Sequence, residues 1–490
     1  MRSGSRHAVV IGGSIAGLLA AHVLKDHADS VTVVERDRYP DGPRHRAGVP
    51  QDRHAHIFLE GGVRALEDLL PGLPDELVEH GSPRLGMPAD FVQWQGGQWF
   101  RRTPASTHVL TGSRPLTDWL VRRRVLADAR VTVLEETEVT GLTGDAARVR
   151  GVRVRRRGAR QETRTLDAGL VVDASGRSTR APAWLRAIGA EPPREETIDS
   201  GLAYATRFWA AGTNTDLSFR AVYLAIDGRH PRGGLLLPVE GDRWIALLSG
   251  FRGHEPPTDE QGYLDFAATL PDPVMREWLD RAEPLTAIHG FRGLANVRRR
   301  YDRPGRRPAG FLATGEALCA FNPAYGQGMS VAALCAVALR DALDDGRRTP
   351  TTRRVQRALA DATRQAWDIS SGADRVVPGV TGNAVRPRVI DRPAAWYLNR
   401  VLERLPRNPL VGDTFRKVGS LAAPATAFFA PRVAREVLFT PVPASPSAPP
   451  LLPESAESAE SAESAGRTRR AGRTGRAGKT GSAGSTEARR

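Results

Sequence analysis

The chain has 490 residues, of which 40% are hydrophobic and 26% charged, so it is long enough to bury a large core and form two or three structural units. Its 70 basic and 55 acidic residues give a formal charge of +15, and its two cysteines exclude a fold held by a disulfide framework. No uninterrupted apolar run is long enough to span a membrane, and the opening residues MRSGSRH lack the features of a signal peptide. These features predict a globular protein of the reducing cytoplasm.

The positive charge is carried almost entirely by arginine. All basic residues other than Lys25, Lys417 and Lys479 are arginine, a bias that is typical of G+C-rich coding sequences. The densest run, RVRRRGARQETR from Arg153, alternates as a solvated strand face does. We therefore expect a small-molecule substrate and no nucleic-acid partner.

The first chemical motif is HAVVIGGSIAGLLAAHVL from His7, which predicts a buried strand, a tight turn and a helix. The residues of this turn and helix start are Gly12, Gly13, Ser14, Ile15, Ala16 and Gly17. Main-chain N–H groups at such a helix start bind a pyrophosphate, and Gly17 allows the helix to approach the strand closely. A second strand, VTVVE, ends at Glu35, 18 residues beyond Gly17, where a carboxylate accepts hydrogen bonds from a ribose diol. The pattern predicts a dinucleotide site, with an ordinary strand-to-helix turn as the alternative.

Two further segments of the first half contain residues suited to such a site. Arg114 lies between a serine that can cap a helix and Pro115, so its guanidinium could reach the pyrophosphate; a surface helix arginine is the alternative. His54 and His56, in RAGVPQDRHAH, have no carboxylate or cysteine partner that would complete a metal site, so we predict no metal. We interpret both histidines as loop residues near the cofactor, with packing as their main role.

The middle of the chain, residues 200 to 300, is rich in predicted strands. GGLLLPVEGDRWIALLSGF, from Gly233, predicts a hairpin with its turn at Glu240-Gly241-Asp242. Aromatic side chains of this region could form an apolar wall over a substrate, although core packing is the alternative for at least half of them. The candidate pocket residues are Tyr204, Phe208, Tyr223 and Trp244.

A second glycine cluster, GEALCAFNPAYGQGMS at residues 315 to 330, precedes an apolar helix. A nicotinamide dehydrogenase needs no such second cluster, whereas FAD has a long ribityl-isoalloxazine half that needs its own cradle. Glu316, at a strand end, can hold ribityl hydroxyls, and the helix dipole can stabilise negative charge on a reduced flavin. The cradle residues are Gly315, Glu316, Pro323, Gly326, Gly328, Met329 and Ser330. We interpret Cys319 within this cluster as a buried thiol and not as a covalent flavin link.

Over residues 7 to 345 the chain resembles FAD-dependent monooxygenases of the para-hydroxybenzoate hydroxylase type. Their second flavin motif is Gly-Asp followed by a Pro-x-x-Gly-x-Gly helix start, which this chain matches with Glu316 in place of Asp. Their middle motif, around an Asp-Gly pair, corresponds to VVDASGRSTR from Val171, with Ser175 at the Asp position. The resemblance implies five further cofactor-binding residues, Arg36, Arg46, Gln51, Val139 and Asp173. It places Arg46 and Gln51 at the isoalloxazine edge.

Within that superfamily the chain is most similar to the flavin epoxidases of polyether ionophore biosynthesis, such as those acting on lasalocid and monensin precursors. The similar segments are GVPQDRHAHIFLEGG, SRPLTDWLVR, DSGLAYATRFW, PVEGDRWIALLSGFRG and FNPAYGQGMS. This resemblance implies oxygen transfer from a flavin hydroperoxide to the alkenes of a polyene polyketide, with O2 as co-substrate and no protein nucleophile. NAD(P)H or a partner flavin reductase would supply the electrons. An aromatic polyketide or phenol hydroxylase and a flavin-dependent alkene reductase are the alternatives.

The resemblance also implies the fold class and the domain order. We expect an α/β protein with a Rossmann-like FAD-binding domain of the GR2 type, an inserted β-sheet substrate domain and a C-terminal helical region. The FAD-binding domain would comprise residues 1–180 and 306–345, and the substrate domain residues 181–305. Helices would occupy 346–440, and the biased composition of 441–490 predicts a disordered tail.

Overall fold

A computed structural model of the protein describes residues 6–158, 163–211, 218–303, 305–386, 392–442, 444 and 446, with the main chain alone for 392–395. Almost all of the predicted disordered tail, 441–490, lies outside the described residues, so that expectation stays a prediction. Among the described residues, no helix is both long and apolar enough to cross a bilayer.

Strands and helices alternate in the first half of the chain, and helices follow one another in the last quarter. The strands are β1 (His7–Ile11), β2 (Ser30–Val34), β3 (Ile57–Phe58), β4 (Arg84–Met87), β5 (Phe91–Gln95), β6 (Gln98–Trp99), β7 (Thr107–Thr111), β8 (Val131–Leu134), β9 (Thr137–Gly144), β10 (Val149–Arg156), β11 (Thr163–Asp167), β12 (Leu170–Asp173), β13 (Glu195–Ile198), β14 (Ala203–Ala210), β15 (Ala221–Leu224), β16 (Arg232–Val239), β17 (Arg243–Gly250), β18 (Glu283–Pro284), β19 (His289–Phe291), β20 (Asn296–Arg299), β21 (Phe311–Ala313) and β22 (Cys319–Ala320). The helices are α1 (Ile15–Leu24), α2 (Glu60–Leu69), α3 (Leu73–Glu79), α4 (Arg114–Val125), α5 (Ala181–Ala187), α6 (Glu260–Ala268), α7 (Val274–Leu279), α8 (Gly315–Leu318), α9 (Gly328–Asp344), α10 (Thr352–Ala362), α11 (Arg364–Asp374), α12 (Arg392–Arg404), α13 (Pro409–Gly419) and α14 (Pro431–Phe439).

A parallel sheet in the order β21-β12-β1-β2-β8 forms the centre of the nucleotide-binding half. Its central strand β1 pairs with β12 on one side and with β2 on the other, so its residues from Ala8 to Ile11 are fully enclosed. The edge strand β21 comes from far along the chain, and the side-chain amide of Gln356 on α10 covers its open edge. That amide accepts from Ala313 N at 2.8 Å and donates to Ala313 O at 3.0 Å.

A second, mostly antiparallel sheet occupies the middle of the chain in the order β18-β14-β17-β16-β15-β5-β6, with β19 also paired to β14. Helices α6 and α7 cover one face through the fully buried side chains of Tyr263, Met275 and Trp278. The predicted hairpin is confirmed as β16 and β17, with its turn at Glu240–Asp242. Because β5 and β6 precede residue 181, this sheet draws on more of the chain than 181–305, and the domain boundaries stay predictions.

The C-terminal helices α12 to α14 pack around a separate apolar cluster that includes Phe100, Tyr397, Val401 and Val411. Within the predicted C-terminal helical region, 346–440, the described residues form helices α10 to α14. The predicted α/β class, with a parallel nucleotide-binding sheet, a second inserted sheet and C-terminal helices, is confirmed as well.

The approach of α1 to β1 depends on two glycines. Gly12 ends the strand with φ +96°, a conformation that favours glycine, and a Cβ there would lie 2.7 Å from Ala174 O. A Cβ on Gly17 would lie 1.8 Å from Gly12 O, so even a methyl group would displace the helix from the strand.

We expect Gly17→Ala to lower the free energy of unfolding by about 2 kcal/mol or more, because the backbone atom that it meets cannot move aside without breaking the sheet. The matched control is Gly372→Ala, a helical glycine with nothing within 4 Å, which should gain about 0.5–1 kcal/mol. Chemical denaturation of both variants measures the difference. Equal stability of the two variants would contradict this account of the α1–β1 contact.

Candidate functional site

The first glycine turn has the geometry of an anion-binding helix start. Helix α1 begins at Ile15 after Ser14, and the N–H groups of its first turn have no partner within the helix. No acidic residue lies within that turn itself, so the helix supplies no negative charge of its own to the positive end of its dipole. The N–H of Gly13 is directed away from the helix and donates to Glu35 Oε2 at 2.8 Å.

Glu35 lies at the end of β2, as the sequence predicts, and its side chain is buried. Its Oε1 accepts from Asp37 N at 2.9 Å, and its Oε2 pairs with Arg46 Nη1 at 3.2 Å. Arg46 also lies 3.7 Å from both Asp37 and Asp118 and donates to Gly13 O at 3.4 Å. The expectation that Arg46 lies at the isoalloxazine edge is therefore wrong. Three carboxylates hold Arg46 at the opposite, nucleotide end of the site.

Arg114 reaches the first glycine turn from helix α4, 100 positions further along the chain. Its Nη2 donates to Ser14 Oγ at 2.7 Å, and its Nε donates to Asp118 Oδ1 at 2.7 Å. Ser113 caps the helix by accepting from Leu116 N at 3.3 Å, and Pro115 occupies the first turn, as predicted. The guanidinium is therefore fixed beside the turn that would hold a pyrophosphate. Its predicted contact with the cofactor stays a prediction.

Tyr39, which no sequence pattern predicts, is half-buried against the same turn. Its hydroxyl donates to Gly13 O at 2.6 Å, and its ring lies between the guanidinium groups of Arg46 and Arg122, 5.3 and 4.6 Å from the ring centroid. Burial, followed by the charge of Glu35, raises the pKa of Tyr39 above its ordinary value. A lone tyrosine after a strand gives no periodic or spacing signal. Asp118 could have been found, because it lies one helical turn after Arg114.

A cavity of about 420 Å³ opens beyond the end of β2, next to Tyr39 and Arg46. Other residues that line it are Arg36, Asp37, Arg44, His45 and Arg157. This volume falls within the range of small-molecule and cofactor sites, and the arginines favour an anionic ligand. Arg36 is exposed and donates to Gly48 O at 3.1 Å, and Gln51 lies nearby in the 3₁₀ turn Pro50–Arg53. Their cofactor contacts stay predictions.

The second glycine segment meets the first at the base of α1. Gly315 follows β21 with φ +54°, and a Cβ there would lie 2.6 Å from the Cβ of Ala16. Glu316 comes next, and its Oε1 lies 3.8 Å from the position of a Cβ on Gly328. The predicted juxtaposition of the two distant glycine clusters is thus observed.

The start of α9 is preceded by Pro323 in a 3₁₀ turn and by Gly326. The φ of Gly326 is +61°, which lies in the left-handed region that favours glycine. Gln327 lies at the N-cap position and is 1% exposed, yet its Oε1 has no hydrogen-bond partner among the described residues. A buried acceptor of this kind normally has a partner, so a ligand or water is expected beside it. Ser330 Oγ accepts from Leu59 N at 2.9 Å, which ties the helix start to the loop before α2.

The side chains of Met329, Asp173 and Val139, three predicted cofactor-binding residues, are all buried. Met329 and Val139 pack in the main core of the nucleotide-binding half. The carboxylate of Asp173 accepts from Ser175 N, Ser175 Oγ and Thr179 Oγ1 at 3.0, 2.6 and 2.5 Å, so it braces its own loop. Burial raises the pKa of Asp173, and these three donors oppose that shift. The cofactor contacts of these residues stay predictions.

Three of the four candidate pocket residues lie on the sheet face opposite α6 and α7. Tyr204 shares an apolar cluster with Ala324 of the second glycine segment, and Phe208 lies on the same face two positions beyond Thr206. The hydroxyl of Tyr223 donates to Ala324 O at 3.3 Å. This face, from Tyr204 to Tyr223, is the one that approaches the cofactor cradle.

The prediction that Trp244 belongs to the same pocket is wrong. It lies directly opposite Trp209 in the β14–β17 register, and its ring centroid is 5.4 Å from that of Trp278 on α7. Successive strand residues alternate between the two faces of a sheet. Trp244 lies two and four positions before Ala246 and Leu248, which the helices cover, so all three are on the same face. Trp244 is therefore part of the core on the helix side.

The two histidines lie at the edge of the cradle and are kept neutral. His54 is buried, its Nδ1 is 2.9 Å from Thr206 Oγ1, and its ring contacts Tyr204 at 4.7 Å between centroids. Burial is the main cause that lowers the pKa of His54 to about 3, and electrostatic repulsion from nearby His56 adds to it. Burial, and then the charge of Arg114, lower the pKa of His56 to about 4. His54 packs as the sequence analysis expected. No metal ligand cluster exists among the described residues.

The chain's own residues fit FAD at both ends. The first glycine turn offers the N–H groups of a helix start, a buried carboxylate at the strand end and Arg114. The second glycine segment offers Glu316 and the Oε1 of Gln327, which is buried and has no partner among the described residues. Cys319 is 1% exposed, and burial raises the pKa of its thiol well above its ordinary value, which makes it an inert side chain.

For the cofactor contact of Arg114, we expect Arg114→Lys to weaken FAD binding about tenfold, since lysine cannot donate to Ser14 and Asp118 at once. A fluorescence titration of apoprotein with FAD measures the dissociation constant. Arg64→Lys, which changes an exposed arginine paired with Glu60, is the control and should bind FAD as the wild type does. Wild-type affinity in Arg114→Lys would exclude the predicted contact.

His54 should make stability depend on pH. The unfolded chain protonates this histidine below about pH 6.5, whereas the folded protein keeps it neutral down to about pH 3, so acid favours unfolding. As the pH falls from 7 to 5, the free energy of unfolding should therefore decrease by about 2 kcal/mol less in His54→Gln than in the wild type. Denaturation at the two pH values tests this, with the exposed His108→Gln as control. An unchanged pH dependence in His54→Gln would disprove the burial effect.

Comparison with known proteins identifies the family. A family model described as FAD binding domain matches residues 6–367. Protein Rv3254 of Mycobacterium tuberculosis is 33% identical over 438 residues, which cover 85% of this chain and 89% of that protein. The structure of the flavin-dependent brominase Bmp2 matches with a TM-score of 0.59 at 16% identity, covering 88% of this chain and 98% of that chain.

A further solved structure, that of the p-nitrophenol 4-monooxygenase PnpA from Pseudomonas putida DLL-E4, has a TM-score of 0.58 and 16% identity. It covers 85% of this chain and 98% of that chain, and at this identity the likeness shows a shared fold. The family model spans both glycine segments and the sheet between them. The chain therefore belongs to the FAD binding domain family.

Proposed function

We propose that the protein is an epoxidase that adds oxygen to the alkenes of an apolar polyene polyketide. In the overall reaction, an alkene, O2, a reduced nicotinamide and a proton give an epoxide, water and the oxidised nicotinamide. Reduced FAD, when bound, supplies the activation of O2. The protein's own residues bind the cofactor at both ends, position the substrate and exclude water.

The proposal rests mainly on the character of the sheet face that approaches the cradle. The central side chains of this face are uncharged, namely Tyr204, Thr206, Phe208, Ala221, Tyr223, Leu235, Leu237, Ile245, Leu247 and Ser249. The charged residue at the hairpin end, Arg243, is paired with Glu240 at 2.9 Å. An apolar, uncharged chain such as a polyene suits this surface.

The same face offers a poor base. A phenol hydroxylase benefits from a group that removes or accepts the phenol proton, and the best base has a pKa near the working pH. His54, which contacts Tyr204, has a pKa of about 3 and is bonded to Thr206, so it would accept a proton weakly at neutral pH. An alkene needs no such activation, which favours epoxidation over the hydroxylase alternative.

Halogenation is a further alternative because the brominase Bmp2 shares the fold. The sequence lacks the Trp-x-Trp motif of flavin halogenases and the lysine that goes with it. Of the lysines that the structure describes, Lys25 is paired with Asp128 at 3.2 Å, and Lys417 lies on α13. Neither is part of the cradle described above, so the described residues offer the cradle no such lysine.

The source of electrons is part of the proposal. Only one dinucleotide motif is recognisable in the sequence, so we propose that NADPH binds transiently or that a partner flavin reductase delivers reduced flavin. The arginine-lined cavity beside β2 adjoins the nucleotide end of the FAD cradle and supplies positive charge to either anionic cofactor.

We expect the purified, FAD-loaded protein to convert a polyene substrate under ¹⁸O2 into a product that gains one ¹⁸O atom for each alkene consumed. Reactions with NADPH alone and with an added flavin reductase distinguish the two electron sources, and apoprotein is the control. Mass spectrometry reads the outcome. If only phenols gained oxygen, the result would favour a hydroxylase. Products that form only with bromide would favour a halogenase. A gain of two hydrogen atoms without O2 would favour a reductase.

A further inference from the structure

A buried carboxylate that the sequence analysis did not single out lies behind the second glycine segment. Asp374 is the last residue of α11 and is fully enclosed, and no salt bridge to it exists among the described residues. It is instead surrounded by uncharged donors. Its Oδ2 accepts from Ser200 Oγ, Asn296 Nδ2 and Asn322 Nδ2 at 3.2, 2.7 and 2.8 Å, and its Oδ1 accepts from Tyr325 OH at 2.9 Å.

The four donors come from three different parts of the fold. Ser200 precedes β14 of the sheet that faces the cradle, and Asn296 is the first residue of β20. Asn322 is the N-cap and Tyr325 the last residue of the 3₁₀ turn that leads into Gly326 and helix α9. One side chain from α11 therefore ties the second glycine segment to the substrate-facing sheet and to β20.

The network leaves little freedom to the turn before α9. Asn322 is fully buried, and its N–H donates to Asn296 Oδ1 at 2.8 Å while its own Oδ1 accepts from Ala324 N at 3.0 Å. Ala324 O in turn accepts from Tyr223 at 3.3 Å. A carboxylate is the side chain that can accept from four donors at once, whereas an amide in its place would direct an N–H group at a donor. The charge and the geometry of this network therefore both depend on Asp374.

We propose that Asp374 is a positioning residue that holds the turn 322–326 so that the start of α9 can receive the flavin ring. Burial raises the pKa of this carboxyl, while its four donors favour the ionised form. Asp374 acts through the turn and not by contact with the substrate. This inference rests on the FAD-binding part of the proposed function and is independent of the identity of the substrate.

The main test compares Asp374→Asn with Asp361→Asn, which removes the same charge from an exposed residue paired with Arg364 at the junction of α10 and α11. In the apoprotein, hydrogen exchange of peptides that cover 319–330 should be at least tenfold faster in Asp374→Asn, with exchange in β1 and α1 unchanged. The dissociation constant for FAD should rise at least tenfold. At saturating FAD, the visible absorption bands of the bound flavin should shift. The control should match the wild type in all three measurements.

A second variant keeps the proposal testable if Asp374→Asn fails to fold. Tyr325→Phe removes a single donor without a change of charge and should weaken FAD binding by a few-fold, again with faster exchange in 319–330. In the double variant the two effects should be less than additive, because both act on the same turn.

The proposal is wrong if the flavin spectrum at saturating FAD and the exchange of 319–330 match the wild type, since Asp374 would then only stabilise the fold. Fully additive effects of the two substitutions would also overturn it. A failure of the proposed epoxidation would instead appear in the product assay and leave these FAD measurements unchanged, so the two outcomes are distinguishable.

Discussion

The contact between Gly17 and the carbonyl oxygen of Gly12 is the constraint on which the rest of the site depends. Because this glycine lets α1 lie directly on β1, the first turn of the helix faces the ends of β1 and β2. The same placement brings Ala16 against Gly315 and so joins the two glycine segments. One close backbone contact thus sets the distance between the two ends of the cofactor cradle.

The two ends of the cradle differ in their electrostatics. At the nucleotide end, Glu35 and Asp118 pair with Arg46 and Arg114, so binding there is governed by ion pairs that a phosphate or a ribose can join. At the ring end, Asp374 is held by uncharged donors, and the nearby face of the second sheet is apolar. This division suits a cofactor with an anionic half and an aromatic half, and it leaves a nearly uncharged surface for an apolar substrate.

Local patterns in the sequence predicted most of the fold and both glycine segments. The strand–turn–helix at Gly12 and the segment from Gly315 are short-range features whose glycines have direct backbone reasons, and both are found where they were predicted. The errors concern long-range placement. The prediction for Trp244 is wrong because the orientation of this side chain depends on the strand register. The prediction for Arg46 is wrong because its carboxylate partners come from two distant segments, the end of β2 and helix α4. Asp374 gave no signal, since its donors are scattered along the chain.

The late arrival of β21 has a consequence for biosynthesis. When the nascent chain leaves the ribosome, β1 and β2 emerge long before the edge strand that completes their sheet, and Gln356, which covers that edge, emerges later still. The nucleotide-binding half can therefore close only after Gln356 has emerged. Until then its strand edges are unpaired, a state that favours aggregation. A complete FAD cradle is consequently present only from that point on.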